Sequence, residues 1–115
     1  MRILIVDDQK SVGTTLAALV CRCRHEVVEV VGSGLEAIHA YTRHQPDVVL
    51  MDYYMAKLNG ATACRNIVAK DPAARVILLS GLSPETEPAD SGAIAVLSKP
   101  IGLDRLQEAL NAAAH

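Results

Sequence analysis

Five short apolar runs constrain the fold of this chain more than any other feature of the sequence. They span residues 3–6, 27–31, 48–51, 76–79 and 93–97. The runs lack the strict alternation of a half-exposed strand, so they predict strands covered on both faces, as in a parallel sheet. Half of the 115 residues are hydrophobic, which is enough for a packed core, and we expect residues 1–115 to form one domain.

Between the runs, apolar residues recur at the spacing of amphipathic helices. Two clear stripes consist of Val12, Leu16, Leu19, Val20 and Cys23, and of Leu103, Leu106, Leu110 and Ala113; two weaker ones consist of Gly34, Ala37, Ile38 and Tyr41, and of Gly60, Cys64, Ile67 and Val68. Alternating strands and helices predict an α/β domain with right-handed crossovers. Pro84 and Pro88 leave room for about one or two turns between the last two strands, so the helix there should be short or irregular.

Polar residues follow four of the five runs. Asp7 and Asp8 follow the first, Asp52 the third, Ser80 the fourth, and Lys99 lies just beyond the fifth. The carboxyl ends of parallel strands share one edge of the sheet, where ligands bind in such folds. Three close carboxylates repel one another, and Mg²⁺ would neutralise them while leaving a position open for a phosphoryl oxygen. A carboxylate nucleophile, a lysine and a hydroxyl then suffice for phosphoryl transfer.

Each of these residues also has an ordinary structural explanation. A single aspartate after a strand commonly forms a turn or caps a helix, a lysine can be a solvated loop cation, and Ser80 could cap the segment that follows it. Cys21, Cys23 and His25 lack a fourth ligand at zinc spacing, and an odd number of cysteines argues against a disulfide framework. The joint placement of the polar residues at strand ends is what favours a site.

Charge and hydropathy exclude several classes of partner. The formal net charge is −2, which provides no basic surface for nucleic acid or an anionic membrane. No apolar run approaches the roughly 20 residues that a membrane span needs, and the N-terminal residues lack the pattern of a signal peptide. We therefore expect a cytoplasmic protein that binds neither nucleic acid nor membrane.

The stretches "ILIVDDQ", "PDVVLMD", "ILLSG" and "GAIAVLSKP" resemble the receiver domain of two-component response regulators over essentially the whole chain. The resemblance implies a flavodoxin-like (CheY-like), doubly wound sheet of five parallel strands in the order 2-1-3-4-5. It implies a signalling domain rather than an enzyme, whose partners are a histidine kinase or histidine phosphotransfer protein and a downstream protein target. A phosphoryl group would shift the population between two conformations.

The resemblance also implies a role for individual residues. Asp52 would be the phosphoacceptor. Mg²⁺ would be held by Asp8 and Asp52 directly, by Asp7 through water, and by the backbone carbonyl of Tyr54. Lys99 would pair with the phosphoryl oxygens, Ser80 would donate its hydroxyl to them, and Gly81 would let the backbone approach them. The Lys99-Pro100 bond is expected to be cis.

Three features depart from the family pattern. An aromatic residue usually lies three positions before the lysine, and Val96 takes its place, so the aromatic partner of the Ser80 switch is missing. The interval from Ser80 to Lys99 is about three residues shorter than usual, in agreement with the stunted helix. Ala56 takes the place of a proline that is common in the family. Tyr54 lies two residues after the acceptor, and the Tyr54 side chain either shields the phosphoryl group from water or points into solvent.

Two other functions are compatible with the sequence. A Mg²⁺-dependent phosphohydrolase could use Asp52, but such enzymes commonly want a second acid at the position of Tyr54. A pseudo-receiver, a binding module that works without phosphorylation, is favoured by Val96 and the short helix and opposed by the intact acids, Ser80 and Lys99.

Overall fold

A computed structural model describes residues 1–55, 59–81 and 91–114 of the chain. Its elements are, in order, β1 (Arg2–Val6), α1 (Lys10–Arg22), β2 (Glu26–Val31), α2 (Gly34–His44), β3 (Val48–Asp52), α3 (Gly60–Lys70), β4 (Val76–Ser80), β5 (Ala95–Ser98) and α4 (Leu103–Ala113). The five predicted strands and the four helical stripes are confirmed. The short helix predicted between β4 and β5, and Ala56, lie outside the described residues.

The five strands form one sheet in the order β2-β1-β3-β4-β5, and all neighbouring pairs are parallel. The predicted strand order is confirmed. Val6 pairs with Met51, and Asp52 pairs with Leu79, so β1, β3 and β4 end side by side. This register brings the residues that follow β1 next to Asp52.

The sheet separates two apolar clusters, because successive strand residues point to opposite faces. Leu4, Val49 and Leu78 pack with residues of α2 and α3 on one face. On the other face, residues of β1, β3 and β4 pack with α1 and α4; they include Ile3, Ile5, Val48, Leu50, Ile77, Leu79, Leu16, Val20, Leu106 and Leu110. Every residue from Ile3 to Val6 and from Val48 to Met51 is fully buried. Helices on both faces therefore explain why these runs are continuously apolar.

Side-chain caps fix where two of the helices begin. The Ser33 hydroxyl accepts a hydrogen bond from the Glu36 N–H at 3.1 Å, and the Glu36 carboxylate accepts one from the Gly32 N–H at 3.2 Å. Asn59 Oδ1 accepts from the Thr62 N–H at 2.9 Å, so α3 begins at Gly60. These bonds satisfy backbone donors that a helix leaves unpaired in its first turn.

Ala95 and Val96 of β5, at one edge of the sheet, are only partly buried, and the expectation of strands covered on both faces is wrong for β2. This strand is at an edge of the sheet, Glu26 is exposed, and Val30 is 40% exposed. Glu29 interrupts the run; it forms an ion pair with Arg43 and a hydrogen bond with His44, both of α2. An edge strand has one neighbour and incomplete helix cover, so polar residues are tolerated there.

In the described part of the chain, no helix is long and apolar enough to span a membrane.

The three cysteines differ in burial. Cys21 is exposed, whereas Cys23 and Cys64 are buried, and all three are free thiols. Burial raises the pKa of the Cys64 thiol to about 11, so this thiol stays protonated, and therefore poorly reactive, at neutral pH.

Tyr41 joins the carboxyl ends of α2 and α3. Its side chain is buried, and its hydroxyl donates a hydrogen bond to Asp71 Oδ2 at 2.7 Å. Burial, and then the hydrogen bond to Asp71 and its negative charge, raise the pKa of Tyr41 to about 12. Ionising this phenol in the folded protein therefore costs free energy.

Tyr41→Phe removes this hydrogen bond, and we expect the free energy of unfolding to fall by about 1 kcal/mol at neutral pH. The pKa of Tyr41 is higher in the folded than in the unfolded chain, so its contribution is complete below about pH 10 and is lost as the pH rises toward 12. The difference in free energy of unfolding between the wild type and Tyr41→Phe should therefore be about 1 kcal/mol smaller at about pH 11 than at about pH 8. Urea denaturation at the two pH values measures it. Tyr54→Phe is the control. A difference between the wild type and Tyr41→Phe in free energy of unfolding that is the same at both pH values contradicts the expectation.

Candidate functional site

Three carboxylates meet at the carboxyl ends of β1 and β3. Oxygens of Asp7, Asp8 and Asp52 all lie within 4.8 Å of one another. Asp7 is 2% exposed and Asp52 is 7% exposed, whereas Asp8 is exposed. The predicted gathering of these acids is confirmed, and its cause is the parallel pairing of β1 with β3.

Lys99 supplies the positive charge that this arrangement needs. Its Nζ lies 3.1 Å from Asp7 Oδ2 and 3.1 Å from Asp52 Oδ1. The Lys99 backbone N–H donates to the Ser80 carbonyl at 2.8 Å, which fixes the residue beside the end of β4. The Lys99-Pro100 bond is cis, as predicted. One ammonium therefore bridges acids from two neighbouring strands.

The charges at the site shift the pKa of two groups. Burial raises the pKa of Asp52, and the negative charges of Asp7 and Asp8 raise it further. The hydrogen bond from Lys99 and its positive charge lower this pKa, but by less than burial raises it. Burial alone would lower the pKa of Lys99, but its hydrogen bonds to Asp52 and Asp7 and their negative charges together raise it. Lys99 is therefore a cation at neutral pH, and the acids, once ionised, still exceed it in number.

Both oxygens of Asp7 already accept hydrogen bonds. Oδ1 accepts from the Gln9 N–H at 2.9 Å, and Oδ2 accepts from Lys99. Carboxylate oxygens are the ligands that Mg²⁺ prefers, and this ion usually keeps several waters. The donor set thus fits a hard divalent cation. Among the described residues, these three acids form the one such group; Cys21, Cys23 and His25 do not form another.

An open cavity of about 420 Å³ lies in front of these acids. The described residues that line it are Asp8, Gln9, Asp52, Tyr54, Gly81 and Lys99. A larger cavity of about 510 Å³ lies on the side of Lys99 that faces α1, and its walls include Val12, Leu16 and Ile101. No carboxylate of the described residues lines this second cavity, so we assign the chemistry to the smaller one.

The remaining predicted residues lie around the same edge. Ser80 is 1% exposed at the end of β4, and a side chain at Gly81 would project into open space. Tyr54 is 45% exposed, and its ring meets that of Tyr53 edge-on at 4.4 Å. Val96 pairs with Leu78 in the sheet and packs against the core cluster on the α2 and α3 face. Their predicted roles as hydroxyl donor, phosphoryl contact, metal ligand and switch stay predictions.

Sequence reasoning missed two residues that shape the site. Gln9 lines the cavity; its position directly after Asp7-Asp8 was the available signal. Gly60 begins α3, and its N–H donates to the Tyr53 carbonyl at 2.7 Å. A Cβ at Gly60 would lie 2.3 Å from the Asp52 carbonyl oxygen, so only glycine lets α3 begin this close to Asp52.

Comparisons with known proteins agree with this geometry. The family model described as response regulator receiver domain matches residues 3–111. The chain is 37% identical to the chemotaxis protein CheY of Listeria monocytogenes, covering 99% of this chain and 98% of the relative. It is 34% identical to CheY of Bacillus subtilis, covering 96% and 94%. Among solved structures, the CheX–CheY–BeF3–Mg²⁺ complex of Borrelia burgdorferi contains a chain that superposes with a TM-score of 0.94 at 28% identity, covering 100% of this chain and 90% of that one.

Gly60→Ala tests the close approach of α3 to β3. The added Cβ would meet backbone atoms of Asp52 and Tyr53, which cannot rotate away. We expect the free energy of unfolding to fall by about 1–3 kcal/mol, the usual cost of overpacking, as measured by urea denaturation.

Gly81→Ala is the matched control, because a Cβ at that position meets nothing within 4 Å. Its free energy of unfolding should stay close to that of the wild type. Equal effects of the two substitutions would show that the contact at Gly60 is not a constraint.

Proposed function

Because this chain belongs to the response regulator receiver domain family, we propose that Asp52 is its phosphoacceptor. The donor is the phosphohistidine of a histidine kinase or of a histidine phosphotransfer protein. The observation that carries the proposal is the position of Lys99 Nζ, 3.1 Å from Asp52, beside a cavity that opens to solvent.

In the reaction, a carboxylate oxygen of Asp52 attacks the phosphorus in line with the departing imidazole nitrogen. The new P–O bond forms as the P–N bond breaks, and the electron pair returns to the histidine ring. Lys99 offsets the charge on the transferring oxygens. It is already fixed by Asp7 and Asp52, so little reorganisation is needed.

Mg²⁺ would be held by Asp8, by Asp52 and by the backbone carbonyl of Tyr54, and when bound it neutralises charge on the phosphoryl oxygens. Asp7 would act through a water molecule, which agrees with the two hydrogen bonds that its oxygens already accept. Gly81 leaves open space beside the phosphoryl group, and the Ser80 hydroxyl would turn toward that group from its buried position.

The output would be a change in population between two conformations rather than a released product, so we do not expect an enzyme. A phosphoryl group adds about 1.5 to 2 negative charges, which favour the state with Ser80 drawn inward. Val96 is smaller than an aromatic residue and would contribute less to this switch. Residues 1–115 would act as the receiver domain, in the cytoplasm, on a protein target, without nucleic acid or membrane.

No observation specifically favours the two alternative functions, a pseudo-receiver or a Mg²⁺-dependent phosphohydrolase. The three acids gathered with Lys99 at an open cavity weigh against a pseudo-receiver. Tyr54 stands where an aspartate phosphatase would want a second acid, and its side chain has no carboxylate.

The proposal is tested with acetyl phosphate and MgCl2. We expect the wild-type protein to gain the mass of one phosphoryl group. Asp52→Asn should show no increase in mass, because an amide is not a competent nucleophile here. Intact-protein mass spectrometry makes the measurement. Asp104→Asn, which changes an exposed acid of α4, is the matched control and should be modified like the wild type.

Beryllofluoride with MgCl2 separates a receiver from a pseudo-receiver, because this phosphoryl mimic needs the assembled site. Binding should change the tyrosine fluorescence or the NMR spectrum of the wild type and not of Asp52→Asn. A wild type that neither takes a phosphoryl group nor responds to beryllofluoride contradicts the proposal.

Tyr54 is expected to lengthen the life of the phosphoaspartate by restricting the approach of water. Its ring lines the cavity and rests against Tyr53. Tyr54→Ala should shorten the half-life by about tenfold at most, which corresponds to about 1.4 kcal/mol in the barrier. The rate is measured after acetyl phosphate has been removed. Tyr54→Phe keeps the ring and should behave like the wild type; an unchanged half-life in Tyr54→Ala defeats the shielding role.

A further inference from the structure

Gln9 begins α1 without serving as its cap. It occupies the N-cap position with an extended backbone, but its side chain makes no capping hydrogen bond. Serine, threonine, aspartate and asparagine are the usual residues at this position, because their short side chains reach the free N–H groups of the first turn. In residues 1–55, 59–81 and 91–114, no hydrogen bond of the Gln9 carboxamide is found. The residue is therefore not explained by the start of the helix.

The backbone of Gln9 is nevertheless held firmly. Its N–H donates to Asp7 Oδ1 at 2.9 Å, and its carbonyl accepts from Val12 and Gly13 at 3.0 Å each. Asp7 in turn binds Lys99, which binds Asp52. A continuous series of short contacts thus fixes Gln9 relative to Asp52, while the exposed carboxamide stays available.

Gln9 and Tyr54 are the two neutral polar side chains among the described residues that line the cavity. The charged residues there are Asp8, Asp52 and Lys99. A carboxamide offers an acceptor oxygen and two N–H donors at once. It can therefore accept a hydrogen bond from one water molecule while donating one to another, which neither a carboxylate nor an ammonium can do.

We propose that Gln9 is a positioning residue for the hydrolysis of phosphorylated Asp52, orienting the water that attacks the phosphorus; this inference rests on the proposed function. The water oxygen forms the new P–O bond, and the bond from phosphorus to the Asp52 oxygen breaks. The electron pair returns to the Asp52 carboxylate, and the proton of the water leaves with the inorganic phosphate. Gln9 takes no proton, since a carboxamide is not a base at neutral pH; it restricts the orientation of the water.

The test compares Gln9→Leu, which keeps the approximate size without hydrogen bonding, with Gln9→Glu and with the wild type. Each protein is phosphorylated with acetyl phosphate and MgCl2, the donor is removed, and the decay of the phosphorylated form is followed by mass spectrometry. We expect decay to slow roughly fivefold to tenfold in Gln9→Leu, tenfold being about 1.4 kcal/mol. Gln9→Glu should decay slowly as well, since its charge is repelled by the phosphoryl group.

Three further measurements exclude a structural effect. Beryllofluoride affinity and the urea midpoint of Gln9→Leu should match those of the wild type, because neither involves an attacking water. Gln107→Leu, a substitution of an exposed glutamine on α4, should decay at the wild-type rate. If Gln9→Leu instead slows phosphorylation or weakens beryllofluoride binding in parallel, Gln9 contacts the donor or supports the site, and the inference is wrong.

The outcomes distinguish this inference from the proposed function. A wild type that accepts no phosphoryl group overturns both. A wild type that is phosphorylated, with Gln9→Leu decaying at the same rate, overturns only the role of Gln9.

Discussion

Lys99 bridges two buried carboxylates from neighbouring strands, and the carboxyl edge of the sheet depends on these two contacts of 3.1 Å. Asp7 and Asp52 would otherwise repel each other in a region of low dielectric constant. An acid buried with no counter-charge costs several kcal/mol. The ammonium thus stabilises the fold, and in the proposed function it would meet an incoming phosphoryl group from the same position.

The balance of charge also sets an order of events. Among the described residues, three acids face one lysine, so these four groups, when ionised, have an excess of two negative charges, which would repel a phosphoryl group. A divalent cation removes that excess. In the proposed function the protein residues would then receive an anion that the bare site would exclude, and the cation would be a condition for phosphorylation. In the proposed arrangement Asp8 and Asp52 contact the cation, and Asp7, whose two oxygens already accept hydrogen bonds, acts through water.

The sequence predicted those parts of the molecule that depend on local pattern. The runs of β1, β3 and β4 are buried as expected because helices cover both faces, and Asp7, Asp8 and Asp52 meet because strand ends share an edge. The exposure of Val30 and the ion pair of Glu29 with Arg43 depend on the position of β2 at the sheet edge, which is a property of the whole topology. Gly60 was missed for a similar reason: its contact with Asp52 exists only after α3 has packed.

Burial divides the residues around the cavity into two groups. Asp52 and Lys99 are fixed by mutual contacts and by the core, so substitution there alters both folding and chemistry. Gln9 and Tyr54 lie at the exposed rim, where a change of side chain has little effect on folding. With Gln9 and Tyr54 in their proposed roles, the rate at which a phosphoryl group is lost would change at the rim without a change of the acceptor. One fold would then hold the same acids and lysine while the duration of the signal varied with neutral side chains.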